Sequence, residues 1–138
     1  MKFRITLLSL FIIVSLFSLR ADEDTPLEKQ MQIMARSMKQ LSQQIADSTK
    51  QQESITLLET LKKAASDSKG LAPRKTASIP QADQEKFLTD YKAQMDKLSE
   101  AFNQIEEDVK SGKYDPAKTL LANIGSIKKE GHAKFKQD

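Results

Sequence analysis

Seven apolar side chains, Leu88, Tyr91, Met95, Leu98, Phe102, Ile105 and Val109, recur in alternating steps of three and four residues. A stripe of that period stays on one side of a helix and calls for lengthwise packing, at about 20° to a neighbouring helix. Ser78, Pro80 and Gln81 supply its start and Gly112 its stop. A long two-stranded coiled coil is the rival arrangement. The other periodic stretches are too short and too closely linked for it, and strand-like alternation is absent from the sequence.

Three more helices follow from caps and periodicity. Thr25, Pro26 and Glu28 form a helix start in which threonine caps, proline opens the first turn and glutamate reaches back. Leu27, Met31, Met34, Met38, Leu41 and Ile45 then make one apolar stripe ending near Ala46. A second helix is expected over about Lys50 to Asp67, capped by Ser48 or Thr49, with Ile55, Leu57, Leu58, Leu61, Ala64 and Ala65 inward. Gly70 is expected to stop it in a left-handed turn. Leu71 to Ile79 is the longest connection. The last helix is expected to begin with Asp115 as cap and Pro116 behind it, and to turn Ala117, Leu120, Leu121, Ile124 and Ile127 inward. Short connections make successive helices antiparallel neighbours. The expected fold is all-α, an antiparallel up-down-up-down four-helix bundle spanning residues 22–138.

Residues 1–21 are set apart from that bundle. A basic start with Lys2 and Arg4 precedes an apolar run from Ile5 to Phe17, the length of a signal-peptide core and too short for a spanning helix. Cleavage is expected after Ala21, with Ser18 as the alternative, and the periplasm as destination. The full chain has 22 basic and 19 acidic residues. The leader removes Lys2, Arg4 and Arg20 and no acid, so Asp22 to Asp138 carries 19 of each. Nucleic-acid binding then loses its electrostatic support. The chain has no cysteine, which excludes a cysteine nucleophile, an iron–sulfur cluster and thioether attachment of haem.

The chain has one histidine, His132. It lies four or five residues before the expected end of the last helix, and Met31 lies six residues past Thr25. At about 1.5 Å per residue both sit roughly 6–9 Å inside the same end of an antiparallel bundle. His132 follows Leu121 by eleven residues and Ile124 by eight, which is expected to turn it inward or nearly so. Its neighbours Lys128 and Lys136 are donors and cannot accept from its ring. Imidazole nitrogen and thioether sulfur on opposite sides are a six-coordinate haem-iron ligand pair. Met34, Met38, Leu61 and Met95 would wall a porphyrin, Lys128 and Lys136 would meet its propionates, and Gly125 and Gly131 would clear its space.

These residues carry a family resemblance. Glu28–Met31 reads E-K-Q-M, Gly112–Lys113 reads G-K, and His132–Phe135 reads H-x-K-F. With these motifs and their spacing the chain resembles the soluble cytochrome b562 family of periplasmic four-helix-bundle haem proteins. The resemblance implies one non-covalent haem b per chain, ligated by Met31 and His132, in a non-enzymatic electron carrier. The family's basic residue one turn before the histidine is typically arginine and the residue just before it aromatic; here they are Lys128 and Gly131.

The expected function is periplasmic electron transfer with unidentified redox partner proteins, as a monomer, without nucleic acid and off the membrane once the leader is cut. A net charge near zero predicts weak steering toward partners. Two rivals stay open. Met31, Met34 and Met38 on one face could bind Cu(I), for which thioethers are suited. A haem-free bundle could serve as an interaction or stress module.

Overall fold

A computed structural model describes residues 23–137; the expected leader and its cleavage site lie outside the described residues. Four α-helices run in order: α1 (Pro26–Gln44), α2 (Gln51–Lys69), α3 (Gln81–Lys110) and α4 (Tyr114–Phe135). Short 3-10 turns occupy Ser48–Lys50 and Arg74–Ser78. There is no strand among the described residues.

The start of α1 is as its residues dictate. The Glu28 amide donates to Thr25 Oγ1 at 3.2 Å, and the Thr25 amide donates to the Glu28 carboxylate at 2.6 Å. Each satisfies an amide that the first turn would leave without a partner. Arg74, from the connection between α2 and α3, donates to the same carboxylate at 3.0 Å. The backbone bond from Thr25 and the Arg74 guanidinium hold the Glu28 carboxyl below its ordinary pKa.

Three other boundaries differ from expectation. Ser48 and Thr49 do not cap α2; Asp47 accepts from the Thr49 amide at 2.9 Å and caps the 3-10 turn instead. A residue spacing cannot reveal that extra turn, since Asp, Ser and Thr all cap well. Gly70 ends α2 with φ −85°, not in the left-handed region, because a further bond to Asp67 tightens the last turn. Among the described residues Gly112 alone has a positive φ, 72°, at the turn into α4. Asp115 is also not a cap. The helix begins at Tyr114, which puts Asp115 in the first turn, where its charge still suits the helix dipole.

The interior follows the stripes. Leu41, Leu58, Leu61, Phe102, Ile105, Val109 and Ala117 are buried in one cluster that all four helices share. A smaller cluster at the other end joins Leu27, Phe87, Tyr91, Met95 and Phe135. Phe135 meets Phe87 and Tyr91 edge-on, with centroids 5.3 Å and 5.5 Å apart. Phe87, rather than the expected Leu88, is the buried residue there. A four-residue step back from Tyr91, in place of the expected three, places the Phe87 ring against Phe135 and leaves Leu88 half-buried.

Polar bonds fix the antiparallel register. Tyr91 Oη donates to the Ser68 carbonyl at 2.8 Å, and Gln51 Nε2 donates to the Val109 carbonyl at 2.7 Å, tying α3 to α2 at both ends. Gln94 Nε2 donates to the Ile127 carbonyl at 2.8 Å, and Lys134 pairs with Asp90 at 2.8 Å, tying α3 to α4. Glu106 is buried beside Lys62 of α2 and Lys110. Burial would raise its carboxyl, but hydrogen bonds from Lys110 and Lys62 outweigh that and hold it below the usual range.

Three of the four seams are closed in this way. α1 packs along α2, α2 along α3, and α3 along α4. α1 and α4 approach closely at hardly any point. Among the described residues no side-chain hydrogen bond or ion pair joins them. The bundle therefore has one open edge.

Candidate functional site at the open seam

Each residue advances about 100° around a helix, so partners on one flank locate the other. On α4, Ile127, Glu130 and Lys134 meet α3, through Gln94, Lys97 and Asp90 respectively. Ala117, Ile124 and Phe135 mark the direction of the core. Leu121, Gly125, Lys128 and His132 fall on the remaining flank, toward α1. On α1, Gln44 reaches Ser54 of α2, and Ser37 is buried on the same side. Met31, Ala35, Met38 and Ser42 fall on the flank toward α4. The open seam is thus bordered by these two rows, with Met31 and His132 at the same end.

Met31 is half-buried and touches both core clusters. His132 is not turned inward as expected; it is exposed. At about 100° per residue it stands roughly 60° from Ala117 and Phe135 and 80° from Ile124 around the helix, and Phe135 fills the inward position. Its ring has no hydrogen-bond partner among the described residues. Partial burial against the protein, and then the charges of Lys128 and Lys136, hold its pKa below the ordinary histidine value. The imidazole is therefore neutral near pH 7, with a lone pair available to a metal.

The expected wall residues divide into two groups. Met34 and the fully buried Leu61 lie in the large cluster, with Met38 half-buried against it. Met95 lies in the smaller cluster with Phe135 and Tyr91. Met31 packs against both clusters and so joins the two groups. Lys128 and Lys136 are exposed and pair with no carboxylate among the described residues.

The two glycines have different uses. A Cβ on Gly125 would meet nothing within 4 Å, which fits the open flank. Gly131 does not clear space beside His132. A Cβ there would lie 3.5 Å from Gln94 Cγ, so this glycine belongs to the α3 contact. Sequence reasoning overlooked Ala35, Ser42 and Gln94. The first two repeat the spacing of the Met31–Met38 pair and keep the flank low. Gln94 holds the last turns of α4 from the far side.

The surface dip lined by Lys62, Glu100, Asn103, Glu106, Glu107 and Lys110 lies between α2 and α3 at the opposite end of the bundle. It offers neither imidazole nor thioether. No group of three or more histidine, cysteine or carboxylate side chains is placed to hold a metal among the described residues. No helix among them is long and apolar enough to cross a membrane.

The described residues thus form an antiparallel four-helix bundle closed on three sides, with Met31 and His132 on the flanks that border the fourth. The comparison with known families is specific. The Cytochrome b562 family model matches residues 26–136, and the chain belongs to that family, whose members are haem-binding, non-enzymatic electron-transfer bundles. No curated relative and no solved structure matches the chain significantly.

Proposed function

We propose that the protein is an exported electron carrier that holds one haem b without covalent attachment, through Met31 and His132. The observation that carries this reading is the open α1–α4 seam, which has the two ligand types on facing flanks of the same end. Iron in the haem would supply one-electron chemistry, cycling between ferrous and ferric states. The chain's residues do the rest. Neutral His132 offers its ring nitrogen. Met31 adds a soft thioether that favours the ferrous state over what a second histidine would give. Met34, Met38, Leu61 and Met95 exclude water from the buried side. Lys128 and Lys136, exposed and one turn to either side of His132, would supply cations to the propionates.

The copper alternative is weakened by the side chains themselves. Met34 is buried at 6% exposure, while Met31 and Met38 are half-buried on the seam flank, so the three sulfurs do not share one exposed face. Haem titration of the purified protein tests the main reading. The expected result is a saturable low-spin, six-coordinate spectrum in the reduced state. Absence of haem uptake would refute it. Export and the periplasmic location are tested by mass spectrometry of the periplasmic fraction, with a new N-terminus expected near Asp22.

A further inference from the structure

The charges are distributed unevenly around the bundle. α3 carries eight carboxylates and four lysines, a surplus of four negative charges. α2 has equal numbers of each sign. From Lys29 to the end of α1 the charges are Lys29, Arg36 and Lys39, with no carboxylate. α4 has two acids, Asp115 in its first turn and Glu130, which is drawn to Lys97 of α3. Its cations Lys118, Lys128 and Lys129, followed by Lys136, lie on the flank away from α3. Arg36, Lys39, Lys118, Lys128, Lys129 and Lys136 are all exposed, and none is ion-paired among the described residues.

The molecule is therefore strongly dipolar even where its total charge is small. The positive edge is the open seam, and the negative helix is α3, diagonal to α1 and on the far side of α4 from the seam. We propose that the exposed cations bordering the α1–α4 seam form a docking surface for an acidic protein face, which brings that partner to the haem edge. The purpose of the surface rests on the haem reading; the surface itself rests on the placement of charge. The cations outnumber the propionates a haem would bring, so the sign of the edge survives haem binding. Approach is guided by the local field within about a Debye length, roughly 8–10 Å at moderate salt, and not by the net charge alone. A lipid surface is the less suited occupant. The exposed residues of α1 and α4 include no leucine, isoleucine, valine, phenylalanine or methionine to enter a bilayer.

The test uses the purified, isotope-labelled protein with and without added haem, titrated with a short polyglutamate peptide. Amide shifts are expected along the α1–α4 edge, near Arg36, Lys39, Lys129 and Lys136. Lys39→Glu with Lys129→Glu should weaken the interaction about tenfold, and salt should abolish it. Shifts centred on the lysines of α2 and α3, or indifference to the charge reversal, would overturn the proposal. So would sedimentation with phosphatidylserine vesicles without a response to the peptide. In the haem-loaded form, oxidation by ferricyanide should slow as salt is raised and oxidation by a cationic cobalt complex should quicken; the opposite signs would also overturn it. If the peptide maps to the edge and no haem is taken up, the surface stands and the haem reading fails. Haem uptake with no peptide site would mean the reverse.

Discussion

Replacing His132 with alanine should separate function from folding. His132 is exposed, its ring has no hydrogen-bond partner among the described residues, and it stands roughly 60° off the direction of Ala117 and Phe135. Surface substitutions of that kind change stability by about 0.5 kcal/mol or less. Denaturant unfolding of the haem-free variant at pH 8 should therefore match the parent within that margin, while haem uptake is lost. The pH dependence gives a second check. The folded ring has a pKa below the ordinary histidine value, and the unfolded ring has about the ordinary one, near 6.5. Between those values the unfolded chain binds more protons, so the parent loses stability as pH falls through that window. The alanine variant lacks this loss and should gain on the parent in acid. A penalty above about 2 kcal/mol at pH 8 would mean a buried ring, and the flank assignment would be wrong. Haem binding that survived the substitution would remove the ligand assignment instead.

Other variants test neighbouring parts of the argument. Met34→Leu with Met38→Leu conserves apolar volume and should retain haem uptake; loss of a sole Cu(I) affinity in that variant would favour the copper alternative. Tyr91→Phe removes the bond to the Ser68 carbonyl at 2.8 Å and should cost about 1–2 kcal/mol in denaturant unfolding. Burial pushes the Tyr91 phenol up to about 12, so folding stability should fall above pH 10, the unfolded value, as the unfolded phenol ionises first. Gly131→Ala adds a Cβ in ordinary contact with Gln94, and its helix propensity should raise stability by up to about 1 kcal/mol in the same assay.

Much of the bundle was legible because its signals are local. The Thr25–Glu28 capping box and the four stripes each act within a few residues. Met31 and His132 could be brought to one end by counting, since helix rise is constant. The sideways turn of His132 was not legible in the same way. Both inward and flanking positions fit the spacing from Leu121 and Ile124, and the choice depends on Phe135 finding Phe87 and Tyr91 across the bundle. The role of Gly131 was hidden for the same reason. A glycine beside the only histidine invites a pocket reading, yet its partner is Gln94, 37 residues earlier in the chain. The charge asymmetry was readable helix by helix, but a near-zero total obscured it.

The open seam has a physical cause that joins these points. α3 is the longest helix, 30 residues, and carries the polar groups that bind both neighbours. Tyr91, Lys69 with Asp96, and the Gln51 bond to Val109 attach it to α2; Gln94, Asp90 and Lys97 attach it to α4. α4 is thus held from the α3 side, and α1 is held by α2 and by Arg74. Neither helix needs the other to stay in place. Their facing rows can then keep small or displaced residues, Ala35, Ser42 and Gly125, without leaving the helices unsupported. A bundle stabilised equally on four sides would have to break a packed seam to admit a group beside Met31 and His132. This one is held at three seams, and on the proposed haem reading the fourth is the one that admits the group.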